Sequence, residues 1–150
     1  MFLFSRLPSA FFAGVRIKYA DEERCEVIVP YKWYTQNPFR STYFACLSMA
    51  AEMSTGILAM MQVYGRRPPL SMLVLKVYGD YKKKATGLTT FTCDQGIAIK
   101  DLITEATRTG EPKSISVRST GRNEAGEIVA EFMIEWSFKA KTSEPITHNS

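Results

Sequence analysis

The stretch from Tyr43 to Tyr64 constrains the fold of this chain more than any other part of the sequence. It contains one acid, Glu52, near its middle, and no base. As an α-helix it would be about 33 Å long, at about 1.5 Å per residue, and its apolar side chains would lie all round the axis. Such a helix has no face for water, so it has to be enclosed.

Either a membrane or a folded sheet could enclose this helix. A membrane span needs about 20 apolar residues, and the length fits. Glu52 near the centre would cost about 3 kcal/mol on insertion scales, however, and the serine, threonine and glutamine side chains add to that penalty. The rest of the chain shows the alternation of apolar and polar residues that is typical of β-strands. We therefore predict that a sheet wraps the helix and that the chain has no membrane span.

The segments on either side of the long helix predict an α+β domain. The predicted order is a hairpin, the long helix and then four strands interrupted by a short helix, which makes an antiparallel sheet around one enclosed helix. The predicted strands are Val15–Tyr19, Cys25–Tyr34, Leu70–Tyr81, Leu88–Cys93, Lys113–Thr120 and Glu127–Lys139, and the short helix is Ile97–Thr109. We expect the third strand to pair with the fourth, and the fifth with the sixth. Pro30 indicates an edge or a bulge in the second strand.

The boundaries of the domain follow from its ends and turns. Ser41 or Thr42 could cap the long helix, and Gly65 with the prolines after it should end the helix. The first ten residues are interrupted by Arg6 and Pro8, make a poor signal peptide, and are expected to form a short helix over the sheet. We predict one domain over residues 1–150, with a core at about 13–140 and a flexible tail at 141–150.

Charge and cysteine content narrow the classes of function. The net charge of +4 suits an anionic partner, such as a nucleotide-bearing molecule, but is too small to indicate nucleic-acid binding. The three cysteines lack the spacing of metal ligands and are expected to be free thiols in a reducing, cytoplasmic compartment. His148 is the only histidine and lies in the polar tail, which argues against histidine-based chemistry.

The order of these elements resembles the hotdog superfamily, in which a curved antiparallel sheet wraps one central helix. The chain is most similar to the phenylacetyl-CoA-type branch of acyl-CoA thioesterases, and within it to a poorly characterised thioesterase-like subgroup, over Val15 to Lys139. In that branch an asparagine in the loop before the helix precedes the catalytic acid by fifteen positions, and here Asn37 precedes Glu52 by fifteen. The resemblance implies hydrolysis of a fatty or aromatic acyl-CoA, with Glu52 as general base or nucleophile and Asn37 orienting the carbonyl or the water.

The chain departs from this branch at the start of the helix. Family members usually have aspartate at the acid position and a His-Gly-Gly sequence where this chain has Tyr43-Phe44-Ala45. The backbone N–H groups of Phe44 and Ala45 could still hold a developing oxyanion, aided by the helix dipole. We expect the Phe44 side chain to crowd that site. Ser71 corresponds to a serine or threonine that the family often has at the start of the next strand.

Two further groups of residues could contact the substrate. The basic residues at two turns could attract the phosphates of CoA, although a solvated hairpin tip is the simpler interpretation of such a charge cluster; these residues are Lys82, Lys83, Lys84, Arg66 and Arg67. Methionines of the helix could line an acyl tunnel, although filling the core is their commoner role; they are Met49, Met53, Met60 and Met61. Trp33 and Trp136 are expected in the core or at an interface.

Three hypotheses about function remain open. The first is an acyl-CoA thioesterase, and the second is a non-catalytic acyl-binding protein of the same fold. A hydratase is third, and the absence of histidine outside the tail counts against it. Glu52 could alternatively be structural, tied to a backbone N–H or an arginine. The resemblance implies a homodimer or a dimer of dimers, and no cofactor other than the CoA carried by the substrate.

Overall fold

The computed structural model describes residues 2–141. Within that range the chain forms four helices and six strands. The helices are α1 (Phe2–Arg6), α2 (Pro8–Phe12), α3 (Phe44–Val63) and α4 (Gly96–Thr109). The strands are β1 (Arg16–Ala20), β2 (Cys25–Val29), β3 (Leu70–Tyr81), β4 (Thr89–Cys93), β5 (Lys113–Arg122) and β6 (Ile128–Ala140). The predicted tail beyond residue 141, including His148, lies outside the described residues.

The six strands form one antiparallel sheet in the order β1-β2-β4-β5-β6-β3. The pairing of β5 with β6 was predicted, but the pairing of β3 with β4 was wrong. β3 pairs with β6 along its whole length, from Leu70 with Ala140 to Tyr81 with Ala130. β3 has twelve residues and β6 thirteen, whereas β4 has only five. The long strand therefore gains more ladder hydrogen bonds from β6 than β4 could offer.

The predicted central helix, α3, lies against the inner face of this sheet. By length and composition α3 could cross a membrane, but 56% of its apolar segment is buried inside the fold, where it packs against β2, β4, β5 and α4. Its polar side chains bond to the sheet: the Ser54 and Ser119 hydroxyls lie 2.7 Å apart, and the indole N–H of Trp136 donates to Thr55 Oγ1 at 2.8 Å. These bonds attach α3 to β5 and β6, as expected of a core helix.

The ends of α3 were predicted in part. Gly65 follows the helix with a φ of 74°, as the sequence indicated. The predicted cap at Ser41 or Thr42 is wrong, because Tyr43 occupies the N-cap position and caps no N–H with its side chain. The Thr42 hydroxyl instead donates to the Ala85 carbonyl at 3.1 Å, across to the segment between β3 and β4. The start of α3 is thereby held against that segment.

Two other expectations about the chain are corrected. β2 ends at Val29 and lies between β1 and β4, so Pro30 marks the end of a strand rather than an edge or a bulge. The first residues form two short helices rather than one, because Pro8 begins a second helix, α2, which packs against α3. Trp136 is buried in the core as predicted, whereas Trp33 is 75% exposed and lies outside the core.

Candidate functional site

Glu52 lies on the side of α3 that faces the two N-terminal helices. Its side chain lines two cavities of about 180 Å³ each, and both also contact Arg6, Leu7 and Met53. The second cavity continues along α3 toward the sheet, where its walls are apolar. Those walls include Phe2, Ile57, Met60, Met72 and Trp136. The carboxylate therefore lies in a largely apolar space between α1, α3 and the inner face of the sheet.

The Glu52 carboxylate has no hydrogen bond or ion pair with any residue of the described range 2–141. Burial therefore raises the pKa of the Glu52 carboxyl above its ordinary value, as the sequence predicted for an unpaired acid. Arg6 lines the same cavities without reaching ion-pair distance of Glu52. No bond among the described residues supports the alternative that Glu52 ties the helix to an arginine or a backbone N–H. A partly buried, unpaired carboxylate beside a cavity is a candidate functional group.

A separate cleft of about 560 Å³ lies at the start of α3. Phe44, Leu47 and Tyr81 line it, as do the three lysines that follow β3. The backbone N–H groups of Phe44 and Ala45, in the first turn, donate to no acceptor within residues 2–141. Such unsatisfied N–H groups carry the positive end of the helix dipole. The Phe44 side chain is 56% exposed and lines the cleft.

Asn37 lines this cleft and not the Glu52 cavities. Its side-chain oxygen accepts from the Phe39 N–H at 2.9 Å and the Ser41 N–H at 3.2 Å, and its amide nitrogen lies 3.1 Å from Ser41 Oγ. These bonds order the loop before α3. Within one chain, the structure does not bring Asn37 and Glu52 to a common cavity.

The basic residues predicted to act together are at opposite ends of α3. Lys82, Lys83 and Lys84 line the cleft at its start. Arg66 follows its end, where it donates to the Gln62 carbonyl at 2.7 Å and to Thr104 at 3.1 Å, and Arg67 is next to it. A twenty-residue helix is about 30 Å long, so the five bases do not form one cluster within a single chain.

The three lysines differ in their partners. Lys82 pairs with Asp80 and Lys83 with Glu127, both at 2.6 Å. Lys84 donates to the carbonyl of Phe39 at 3.3 Å and has no acidic partner among residues 2–141. Lys84 is therefore the lysine whose charge is available to an anion in the cleft.

Ser71 and the methionines have contrasting positions. Ser71 is exposed on the face of β3 away from α3, where its hydroxyl donates to the Lys139 carbonyl at 3.3 Å. Its neighbour Met72 lines the Glu52 cavity instead, because successive side chains of a strand point to opposite faces. Met49, Met53 and Met60 also line the Glu52 cavities, as the tunnel hypothesis expected, but Met61 does not.

Sequence reasoning missed the walls that Phe2, Arg6 and Leu7 give to the Glu52 cavities. These residues precede the part of the chain that the resemblance covers. The available signal was the apolar spacing of Phe2, Leu3 and Leu7, which is typical of a helix with one packed face.

The comparisons with known proteins agree with this fold. The family described as a domain of unknown function, DUF4442, matches residues 3–138. A Pseudomonas aeruginosa protein of unknown function, PA5026, described as a probable thioesterase, is similar with a TM-score of 0.80 and 20% identity over 93% of both chains. A Chlorobaculum tepidum protein of unknown function gives 0.80 and 16% over 93% of this chain and 91% of its own. The Haemophilus influenzae thioesterase HI1161 gives 0.68 and 11% over 97% and 90%.

No curated relative matches the chain. At identities of 20% and below, the solved structures establish the fold and not the reaction. The architecture is the hotdog fold of thioesterase-like proteins, so the predicted fold class is confirmed.

Proposed function

The chain belongs to the DUF4442 family, and from this premise we propose that it hydrolyses the thioester bond of an acyl-CoA, with Glu52 as the general base or the nucleophile. The observation that carries the proposal is the unpaired Glu52 carboxylate in an apolar cavity of a hotdog fold. The thioesterase descriptions of PA5026 and HI1161 support the same class of reaction.

The Glu52 carboxylate could serve thioester hydrolysis as a base or as a nucleophile. As a base, Glu52 takes a proton from water while the water oxygen attacks the carbonyl carbon. The C–S bond then breaks, and the CoA thiolate leaves and takes up a proton. A raised pKa brings the carboxyl closer to the working pH and makes it a stronger base than an exposed glutamate. As a nucleophile, Glu52 would attack the carbonyl carbon and expel the CoA thiolate as the C–S bond breaks, and water would then cleave the resulting anhydride to the free acid and the Glu52 carboxylate.

The acyl group fits the apolar walls next to this carboxylate. Met53, Met60, Met72 and Trp136 form a surface on which a hydrocarbon chain or an aromatic ring would be removed from water. Methionine side chains adapt to irregular shapes. This part of the cavity supports a fatty or aromatic acyl group over a charged one.

A dimer would unite the two halves of the site. The Phe44 N–H lies eight residues before Glu52, about 12 Å along the helix, so one helix cannot present both to a single carbonyl group. We propose that Asn37 and the start of α3 in one protomer face Glu52 of the other, as the site of hotdog relatives lies across the interface. The N–H groups of Phe44 and Ala45 would then hold the oxyanion.

The edge strand β3 is the surface that supports this homodimer. It is twelve residues long and lies at one edge of the sheet, where unpaired backbone groups are a template for another strand. Exposed apolar side chains follow one another along it: Leu73, Leu75, Val77, Tyr78 and Tyr81. A second copy pairing through β3 would cover them, and such dimers could pair further into tetramers.

The nucleotide end of CoA suits the cleft at the start of α3. Lys84 supplies a cation without an acidic partner within residues 2–141, which favours binding of phosphate groups there. No cofactor beyond the CoA of the substrate is needed for this chemistry. The buried free thiols of Cys25, Cys46 and Cys93 agree with a reducing, cytoplasmic compartment.

The proposed function is tested by measuring hydrolysis of a panel of acyl-CoAs by the wild type and Glu52→Gln. The variant keeps the shape of the side chain but removes its basicity, so the rate should fall about 10²–10⁴-fold. Glu124→Gln is the matched control, since Glu124 is exposed on the β5–β6 turn. If Glu52→Gln hydrolyses the same substrates as fast as the wild type, Glu52 is not the catalytic acid.

A non-catalytic acyl-binding protein is the second candidate. The observation that favours it is the position of the Phe44 ring in the wall of the cleft, together with the use of the Asn37 amide within its own loop. In that case acyl-CoA should raise the melting temperature of the wild type without being hydrolysed. Phe44→Gly would then test whether the aromatic side chain is what blocks the reaction.

A further inference from the structure

An aromatic surface is formed by the two N-terminal helices. Four phenylalanines are about half exposed there: Phe2 (45%), Phe4 (48%), Phe11 (45%) and Phe12 (54%). The rings of Phe4, Phe11 and Phe12 meet edge to face, with centroids 5.2 to 6.2 Å apart. Single exposed apolar side chains are ordinary, but a contiguous exposed cluster marks an interaction site.

A cleft of about 460 Å³ opens in this surface and has a basic rim. Its walls include Phe2, Phe11, Phe12 and Ile17, and Arg16 and Lys32 border it. Neither base forms an ion pair with any residue in the range 2–141. We define the N-terminal surface as Phe2, Phe4, Phe11, Phe12, Arg16 and Lys32.

The segment that forms most of this surface carries bases and no acid of its own. The first twenty residues contain three bases, Arg6, Arg16 and Lys18, and no acid. Lys18 pairs with Glu26 at 3.4 Å, which leaves Arg6 and Arg16 uncompensated among the described residues. An apolar aromatic surface with unpaired bases is complementary to an anionic lipid surface, where rings enter the acyl boundary and bases meet the headgroups.

Two exposed aromatic residues follow Lys32 in the chain. Trp33 and Tyr34 are 75% and 66% exposed, and their rings are in edge contact at 5.0 Å. Tryptophan and tyrosine are enriched at membrane–water interfaces, because each combines an apolar ring with a polar group. They extend the same chemistry into the loop before α3.

We propose that the N-terminal surface docks the protein on an anionic lipid bilayer as a peripheral contact. A second copy of the chain fits this surface less well, because a two-fold contact sets the same patch against itself. Arg16 and Lys32 would then approach their own counterparts. The docking does not depend on the proposed hydrolysis, and the two can fail separately.

The test is sedimentation of the full chain with vesicles of phosphatidylcholine plus phosphatidylserine, against phosphatidylcholine alone. Binding should require phosphatidylserine and weaken with added salt.

Phe11→Ser/Phe12→Ser should lower the affinity about tenfold or more, because two rings lose their transfer to the lipid. Arg16→Gln/Lys32→Gln should also lower it, by about thirtyfold, because two bases near the anionic surface are lost. Ile97→Ser and Arg118→Gln, on α4 and β5, are matched controls that should bind as the wild type does.

Tryptophan fluorescence gives a second measurement that does not require the surface variants to fold. Trp136 is buried and Trp33 exposed, so a blue shift on adding vesicles reports Trp33 and should vanish in Trp33→Phe. Equal binding to phosphatidylcholine alone, or no binding to either vesicle, would overturn the proposal. So would a phenylalanine variant that becomes monomeric while the wild type is a dimer, since the surface would then be a subunit interface.

Discussion

Gly56 lies one helical turn after Glu52 and has no side chain, which leaves the space that the Glu52 carboxylate occupies. A Cβ atom at residue 56 would be 3.4 Å from Oε1 of Glu52 and 3.2 Å from Cζ2 of Trp136. The carboxylate and the indole therefore approach the helix over a residue that has no side chain. Since Glu52 and Trp136 both line the cavity, the size of residue 56 affects its shape.

We expect Gly56→Ala to lower hydrolysis of acyl-CoA about tenfold, because the added methyl crowds the Trp136 indole, fills space beside the carboxylate and narrows the cavity. Stability should change little, since alanine gains about 1 kcal/mol in helix propensity and crowding costs a similar amount. Rate measurements and urea unfolding check both parts. An unchanged rate would mean that the cavity beside Gly56 does not hold the reacting group.

The raised pKa of Glu52 makes a prediction about stability and pH. The folded state binds a proton at Glu52 more tightly than the unfolded chain, whose carboxyl has a pKa near 4.5. The contribution of Glu52 to the free energy of unfolding is therefore most favourable below pH 4.5, and it is lost as the pH rises through the folded value. Glu52→Gln cannot titrate, so it should gain stability relative to the wild type as the pH rises across that interval.

Urea unfolding of the two proteins at a series of pH values checks this, because subtracting the curves removes the titration of the other carboxyls. The rate of hydrolysis should rise over the same interval, since a general base must be deprotonated. A difference of opposite sign would mean that Glu52 is charged and paired in the folded protein.

The sequence was sufficient where one local pattern decides the structure. The apolar surface of α3 and the glycine at residue 65 determine a buried helix and its end. The alternation from Ile128 to Ala140 determines which side chains of β6 face the core. The pKa direction of Glu52 also followed, because burial of an unpaired acid has one sign.

The sequence was insufficient where distant segments choose their partners. An alternating pattern shows that Leu70–Tyr81 is a strand, but not that β6 rather than β4 pairs with it. The sequence also does not show that Arg66 and Lys84 lie apart: Arg66 follows the end of α3, whereas Lys84 follows β3 and lies against the start of α3. The aromatic ring of Trp33 looks like core material in a sequence, yet it is largely exposed.

Lys84→Gln should raise the KM for acyl-CoA about fivefold and leave kcat nearly unchanged, because it removes one exposed charge that attracts the phosphates. The effect should shrink with added salt. Arg67→Gln is the control, since Arg67 lies at the other end of α3 and should leave KM unchanged. If Arg67→Gln raises KM and Lys84→Gln does not, the nucleotide binds near the end of α3 and not at its start, which contradicts the proposal.

Leu75→Lys should convert the proposed dimer into a monomer, because it places a charge on the exposed edge strand β3 and charged edge residues oppose strand pairing. Leu75 is 47% exposed, and Ile97 on α4 has the same exposure, so Ile97→Lys is the matched control. Light scattering after size exclusion at micromolar concentration measures both.

The monomer should also lose hydrolysis while keeping its circular dichroism spectrum, because Asn37 and Glu52 line different cavities within one chain. A wild type that is already monomeric and active would exclude the shared site, and with it the role proposed for the start of α3.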